Sequence, residues 1–331
     1  MKLSGTAAGE NGKNRPALHQ VLSYLRPVVA VGLIVVLLLV VPPKGIAERL
    51  RSARVGLVAL AFLVMFATIV VSSLKLWVLV RTAHPEASFL GVLRAYYVGT
   101  FFNNFLPTGV GGDLLKINEL RVQGVPMRHA AASAVVERAT GIMIVLALAV
   151  AVPLGWSGLF AQPALRPMRW PLAAVGMGFF VLLIVSYALW QAGLKAYLKA
   201  RREGKVLGRV YWVAESFYVF RNEPASLVWA LALSALVYAL LATNIVVVAC
   251  SVSAGVGPGE AVGIIPIVKL AEILPSMGGL GVREGAMTYC LAHLGPSAVQ
   301  AAAVALLMRL LSWVHSGVGG CVYALGWRRR A

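Results

Sequence analysis

Six apolar stretches, most of them about twenty residues long and joined by short polar or basic connections, limit what this 331-residue chain can fold into. A helix rises 1.5 Å per residue, so about twenty apolar residues cross the hydrocarbon of a bilayer. The stretches are 27–41 (short), 55–80, 130–152, 170–190, 225–251 and 297–327. Only 13% of the residues are charged, against 60% apolar, whereas soluble domains carry about 25% charged residues. A soluble enzyme of this length could not cover its surface with so few charges, and that class is excluded. The chain reads as an all-α polytopic membrane protein with about six full spans.

Two further apolar regions, 89–120 and 261–294, are broken. The first is interrupted by Asn103-Asn104-Phe105-Leu106-Pro107-Thr108-Gly109-Val110-Gly111-Gly112-Asp113, the second by Leu274-Pro275-Ser276-Met277-Gly278-Gly279-Leu280-Gly281. Proline removes a backbone donor and glycine unwinds easily. Irregular backbone at membrane depth is tolerated only inside protein or along a wet cavity. Both regions are therefore predicted to be re-entrant helical hairpins.

The two regions also resemble each other. Each Leu-Pro leads into a Gly-rich turn, and an Arg follows the proline by 31 residues (Pro107 to Arg138) or 34 (Pro275 to Arg309). The segments ending at those arginines, 129–138 and 300–309, are identical at five of ten positions. With one hairpin opening from each side, the chain reads as two inverted-topology repeats, about 27–152 and 170–327. In such transporters the interrupted segments of each half meet near the midplane and form the binding site.

Charge sets the orientation. The net charge is +18, which in a membrane chain points to loops on an anionic leaflet rather than to nucleic acid. With the N-terminus inside, eighteen cations, Lys116 among them, fall on the cytoplasmic side and six outside. Both termini are expected to be cytoplasmic, although the basic cluster at 44–54 runs against the bias. The one long polar insert, 194–221, spaces Val206, Val210, Val213 and Phe217 at helical intervals beside many lysines and arginines. It is predicted to be a basic interfacial helix. The expected organisation is a cytoplasmic tail over 1–26 and a single membrane domain over 27–331. Residues 1–20 lack an apolar core, so no cleaved leader is expected. Cys250, Cys290 and Cys321 show no metal spacing, and the five histidines form no HExxH pair; no cofactor or metal is expected.

Ten charged residues fall within the apolar segments: Lys75, Arg94, Arg138, Lys269, Arg283, Arg309, Asp113, Glu137, Glu272 and Glu284. Each costs about 2.5–3.5 kcal/mol at a helix centre, so they must face the interior, pair, or sit near an interface. Lys75 and Arg94 lie close to helix ends and are expected to snorkel. An arginine fork matches a phosphate with two parallel bonds, and Gly-rich turns can present N–H groups to an anion. Candidate substrate-binding residues are Asn103, Asn104, Pro107, Gly111, Gly112, Asp113, Glu137, Arg138, Glu272, Pro275, Gly278, Gly279, Arg283, Glu284 and Arg309. In this reading Arg138, Arg283 and Arg309 bind phosphate, while the acids pair them between occupancy states or carry protons. No catalytic nucleophile–base pair stands out.

The strings NNFLPTGVGGD, VVERATG, LPSMGGLGVREGA and ALLMRLLS resemble those of the lysylphosphatidylglycerol synthase transmembrane (flippase-like) family. That family includes the membrane half of the multiple peptide resistance factor. The resemblance covers about 20–325. It implies movement of an anionic-headgroup lipid, a phospholipid or polyprenyl-phosphate-linked glycolipid, between leaflets of a bacterial or archaeal cytoplasmic membrane. The chain ends at Ala331 without the soluble aminoacyl-transferase half, so lysine transfer is not expected and the protein is not expected to be an enzyme. The alternatives are an intramembrane transferase using a polyprenyl-phosphate donor, or a non-transporting partner of a lipid or glycan synthase. The expected partners are the lipid, the anionic membrane surface, and a second copy of the chain or a lipid or glycan synthase.

Overall fold

The computed structural model describes residues 41–105, 111–189, 220, 222–274 and 279–327. These contain helices and turns and no strand. In chain order the helices are α1 (Pro43–Arg51), α2 (Val55–Arg81), α3 (Phe89–Phe105), α4 (Gly111–Val122), α5 (Met127–Gly155), α6 (Arg169–Leu189), α7 (Pro224–Ser251), α8 (Pro258–Ala271), α9 (Val282–Ala292) and α10 (Ala298–Trp327). Five of them, α2, α5, α6, α7 and α10, are long and apolar enough to cross a membrane. Their bounds agree with the expected spans to within a few residues. The sixth expected span, at 27–41, and the basic insert at 194–221 lie almost wholly outside the described residues.

Helix starts follow from local chemistry. Prolines open α1, α7 and α8, where the missing N–H removes no helical bond. At the start of α8 the Glu260 carboxylate accepts the Gly257 N–H at 2.8 Å. At the start of α9, Glu284 does the same for Gly281 at 2.7 Å, satisfying donors the helix would otherwise orphan. Gly281 has φ +81° and Gly279 φ +76°, a backbone region that favours glycine.

The short helices form two antiparallel pairs. In α3–α4, Gln123 Nε2 donates to the Gly91 carbonyl at 3.1 Å at one end, and Gly112 N donates to Asn103 Oδ1 at 3.1 Å at the other. This pair opens at the end of the bundle where Trp77 Nε1 meets the Ala87 carbonyl. At the opposite end Arg54 N donates to the Ser251 carbonyl at 2.9 Å and Gln300 Nε2 to the Ser253 carbonyl at 2.7 Å. There α8–α9 opens, with Tyr289 Oη donating to the Ala164 carbonyl at 3.2 Å. The two pairs thus open at opposite ends of the bundle. Around them α2 packs along α7, and α10 packs on α3 and α9.

The core uses small residues at the closest crossings. Ala301, Ala302, Ala303 and Ala305 of α10 are buried, as are Ala130, Ala131, Ala132 and Ala134 of α5. In lipid, helix association relies on close backbone approach rather than on transfer from water. A Cβ on Gly319 would fall 2.2 Å from the Tyr97 carbonyl oxygen, so α10 meets α3 through bare backbone.

Candidate functional site

One cavity of about 530 Å³ lies between α2, α3, α4, α5, α7 and α8, and both broken pairs reach it, through Asn103 and Asp113 of the first and Lys269 and Glu272 of the second. Glu137, ten residues into α5, lies about 15 Å along that helix from its start. Its carboxylate takes Lys75 Nζ of α2 at 3.4 Å and Lys116 Nζ of α4 at 2.7 Å. Lys116 also reaches Asp113 Oδ1 at 3.3 Å, and Arg138 Nη2 reaches Asp113 Oδ2 at 2.9 Å. Lys75 Nζ further donates to the Glu137 carbonyl at 2.9 Å and to Ser234 Oγ of α7 at 3.1 Å. Lys116 Nζ stands 5.0 Å from the centre of the Tyr96 ring, within cation–π range. Three helices, α2, α4 and α5, are thereby tied through one alternating chain of charges, Lys75–Glu137–Lys116–Asp113–Arg138, and Ser234 adds α7 by a hydrogen bond.

Across the cavity Lys269 Nζ lies 2.9 Å from Glu272 Oε2, and Arg283 Nε lies 3.9 Å from Glu272 Oε1. Between the two charged walls the lining turns apolar, with Ile142, Val145, Leu146, Val237, Leu270 and Ile273. Ile142 is 47% exposed and Ile273 76%, so this face of the cavity opens toward whatever surrounds the bundle.

Of the expected binding residues, Asn103, Asp113, Glu137, Arg138 and Glu272 line this cavity. Gly111 opens α4. Gly112 is buried behind the wall, where a Cβ would sit 2.1 Å from the Gly99 carbonyl oxygen. Asn104 turns away and donates through Nδ2 to Ser316 and, at 3.4 Å, to Ser312 of α10. Gly279 backs Glu272 and Arg283. Arg309 and Glu284 pair, Nε to Oε1 2.6 Å, with side chains 4% and 3% exposed, and the Arg309 guanidinium lies against Gly279, beside Glu272 and Arg283. Pro107, Pro275 and Gly278 lie outside the described residues.

Two sequence expectations are corrected. Lys75 does not snorkel to an interface; it is 4% exposed and bound inside. Lys116 is not a cytoplasmic surface cation; it is 5% exposed at the centre of the charge chain. One i,i+3 spacing, Asp113–Lys116, carried the signal that α4 turns charges toward one face. Ser234 and Tyr238 of α7, both lining the cavity, had no such signal.

A family model described as the lysylphosphatidylglycerol synthase TM region matches residues 25–319. The chain belongs to this family. Every described helix except the last turns of α10 falls within the matched stretch, as do both broken pairs and all five members of the charge chain. Comparison with curated proteins and with solved structures gives no match.

Proposed function

We propose that the chain is a flippase-type transporter that moves an anionic-headgroup lipid between leaflets of the cytoplasmic membrane. The substrate is a phospholipid or a polyprenyl-phosphate-linked glycolipid. The observation that carries this reading is the amphiphilic cavity: cations Lys75, Lys116 and Arg138 at one wall, with Ile142, Val145, Val237 and Ile273 beside them. A phosphate fits the first surface, where Arg138 and Lys116 already hold a carboxylate. Acyl or prenyl chains fit the second and trail out between α5 and α7. Membership of the lysylphosphatidylglycerol synthase family supports a lipid as the ligand.

The entry of the two broken pairs from opposite ends supports the further reading of two inverted repeats with re-entrant hairpins. In this reading α3–α4 opens to the cytoplasm, α8–α9 opens outside, and both termini are cytoplasmic.

Proteoliposomes with a fluorescent-headgroup lipid and an impermeant quencher test the proposal. Anionic lipid should cross at least tenfold faster than in protein-free liposomes, and Arg138→Gln should remove most of that gain. Equal rates with and without protein would sink the reading.

A further inference from the structure

Lys269 and Glu272 face two cavities. Beyond them, away from the Glu137 wall, lies a second, smaller space of about 100 Å³ lined by Met65, Leu241, Ile245, Ile264, Val268 and Met287. Arg283 borders it as well. Along α2, ten residues or about 15 Å separate Met65 from Lys75. Along α7, eleven residues or about 16 Å separate Ile245 from Ser234. The two cavities are thus stacked along the bundle, and the smaller lies toward the end where Arg54 meets Ser251.

The divider is built to be replaced. Two cations, Lys269 and Arg283, share the single Glu272 carboxylate, as Lys116 and Arg138 share Asp113 on the other side. Glu272 sits at the C-cap of α8, and the Ile273 and Leu274 side chains that follow it are exposed. Gly279 packs behind Glu272: a Cβ there would lie 3.5 Å from its Cγ. A charged headgroup leaving the Arg138 station cannot enter the apolar space without a new counter-ion. Lys269 and Arg283 are the cations at its border.

We propose that Lys269 and Arg283 form a second phosphate station, that Glu272 occupies it as an internal stand-in for the headgroup, and that displacement of Glu272 joins the two cavities into one path. This rests on the lipid-transport reading. An arriving phosphate takes over the two cations, the Glu272 carboxylate withdraws from them into the larger cavity that it already lines, and the small space becomes continuous with it.

The test uses full-length protein in which Cys250, Cys290 and Cys321 are replaced and Met287→Cys is introduced in the small cavity. An uncharged water-soluble thiol reagent reports its exposure in vesicles of phosphatidylcholine or phosphatidylglycerol. Labelling should be slow in phosphatidylcholine and at least tenfold faster in phosphatidylglycerol. Glu272→Gln should label fast in both, and Lys269→Gln supplies the same reading if the first variant fails to fold. Labelling that is equal in both lipids, or unchanged in the two variants, overturns the second station. Lipid-dependent labelling without lipid translocation in the same vesicles would support the station and remove the transport reading instead.

Discussion

Glu137 is the residue on which most of the site depends, because two lysines from different helices rest on its carboxylate with side chains only 5–10% exposed. Removing one partner of a buried ion pair leaves an uncompensated charge and costs about 3–5 kcal/mol. Glu137→Gln leaves Lys75 and Lys116 facing each other and should fall in that range. Lys75→Met keeps the volume and leaves Glu137 with Lys116, so it should cost less, about 1–3 kcal/mol. Unfolding in detergent by denaturant checks the order; a larger loss for Lys75→Met would mean that Glu137 is not the hub. The two arginines of the matching Ala-rich segments should also separate. Arg309 is enclosed with Glu284, so Arg309→Lys should lower the melting temperature while translocation per folded molecule stays within about twofold. Arg138 lines the cavity, and Arg138→Lys loses the fork; there translocation should fall severalfold with little change in melting.

Between elements, backbone contact decides what each glycine tolerates. At Gly112 an added methyl meets the Gly99 carbonyl oxygen and the Asn103 side chain within 2.6 Å, so α3 and α4 would have to part. Gly112→Ala should therefore destabilise and slow translocation together. Gly285 lies inside α9 with nothing within 4 Å of an added Cβ. Gly285→Ala should stabilise by about 0.5–1 kcal/mol through helix propensity alone. Melting curves of the two variants against the parent give the comparison. Gly176 does not serve as a neutral control, although it sits in a plain apolar span, because a Cβ there would lie 2.6 Å from Val150 Cγ2.

For the whole molecule, the connections sort onto two ends. The 156–168 connection belongs with Ser251 and α1, while 82–88, Phe220 and 222–223 belong with the opposite end. Gln162 and Asn222 are exposed, one at each end. Single cysteines at these positions, in protein free of its own cysteines, should react with an impermeant reagent from opposite sides of sealed vesicles. Labelling of both from one side would refute a bundle that spans the bilayer in this orientation. The basic cluster at 44–54, which ran against the cytoplasmic bias, partly resolves into α1. Arg49 and Arg51 occupy its last turn, where cations meet the negative end of the helix dipole and need no anionic leaflet.

The sequence by itself determined the helical class, the five long described spans, the two interruptions, and the family, because apolar run length and Pro/Gly breaks act locally and leave a direct trace. It offered both Glu272 and Glu284 as partners for Arg309, the nearest acids of the same repeat, and the structure chose Glu284. Only the tertiary structure decided which charges meet. Glu137 neighbours Arg138 in sequence, yet successive helical residues point about 100° apart, and Glu137 instead takes Lys75 from 62 residues upstream while Arg138 takes Asp113. Lys75 read as peripheral by its closeness to a helix end and Lys116 by its place among the cytoplasmic cations, and rotation about the helix axis turned both inward. That rotation is set by packing against neighbouring helices, a quantity no single segment carries.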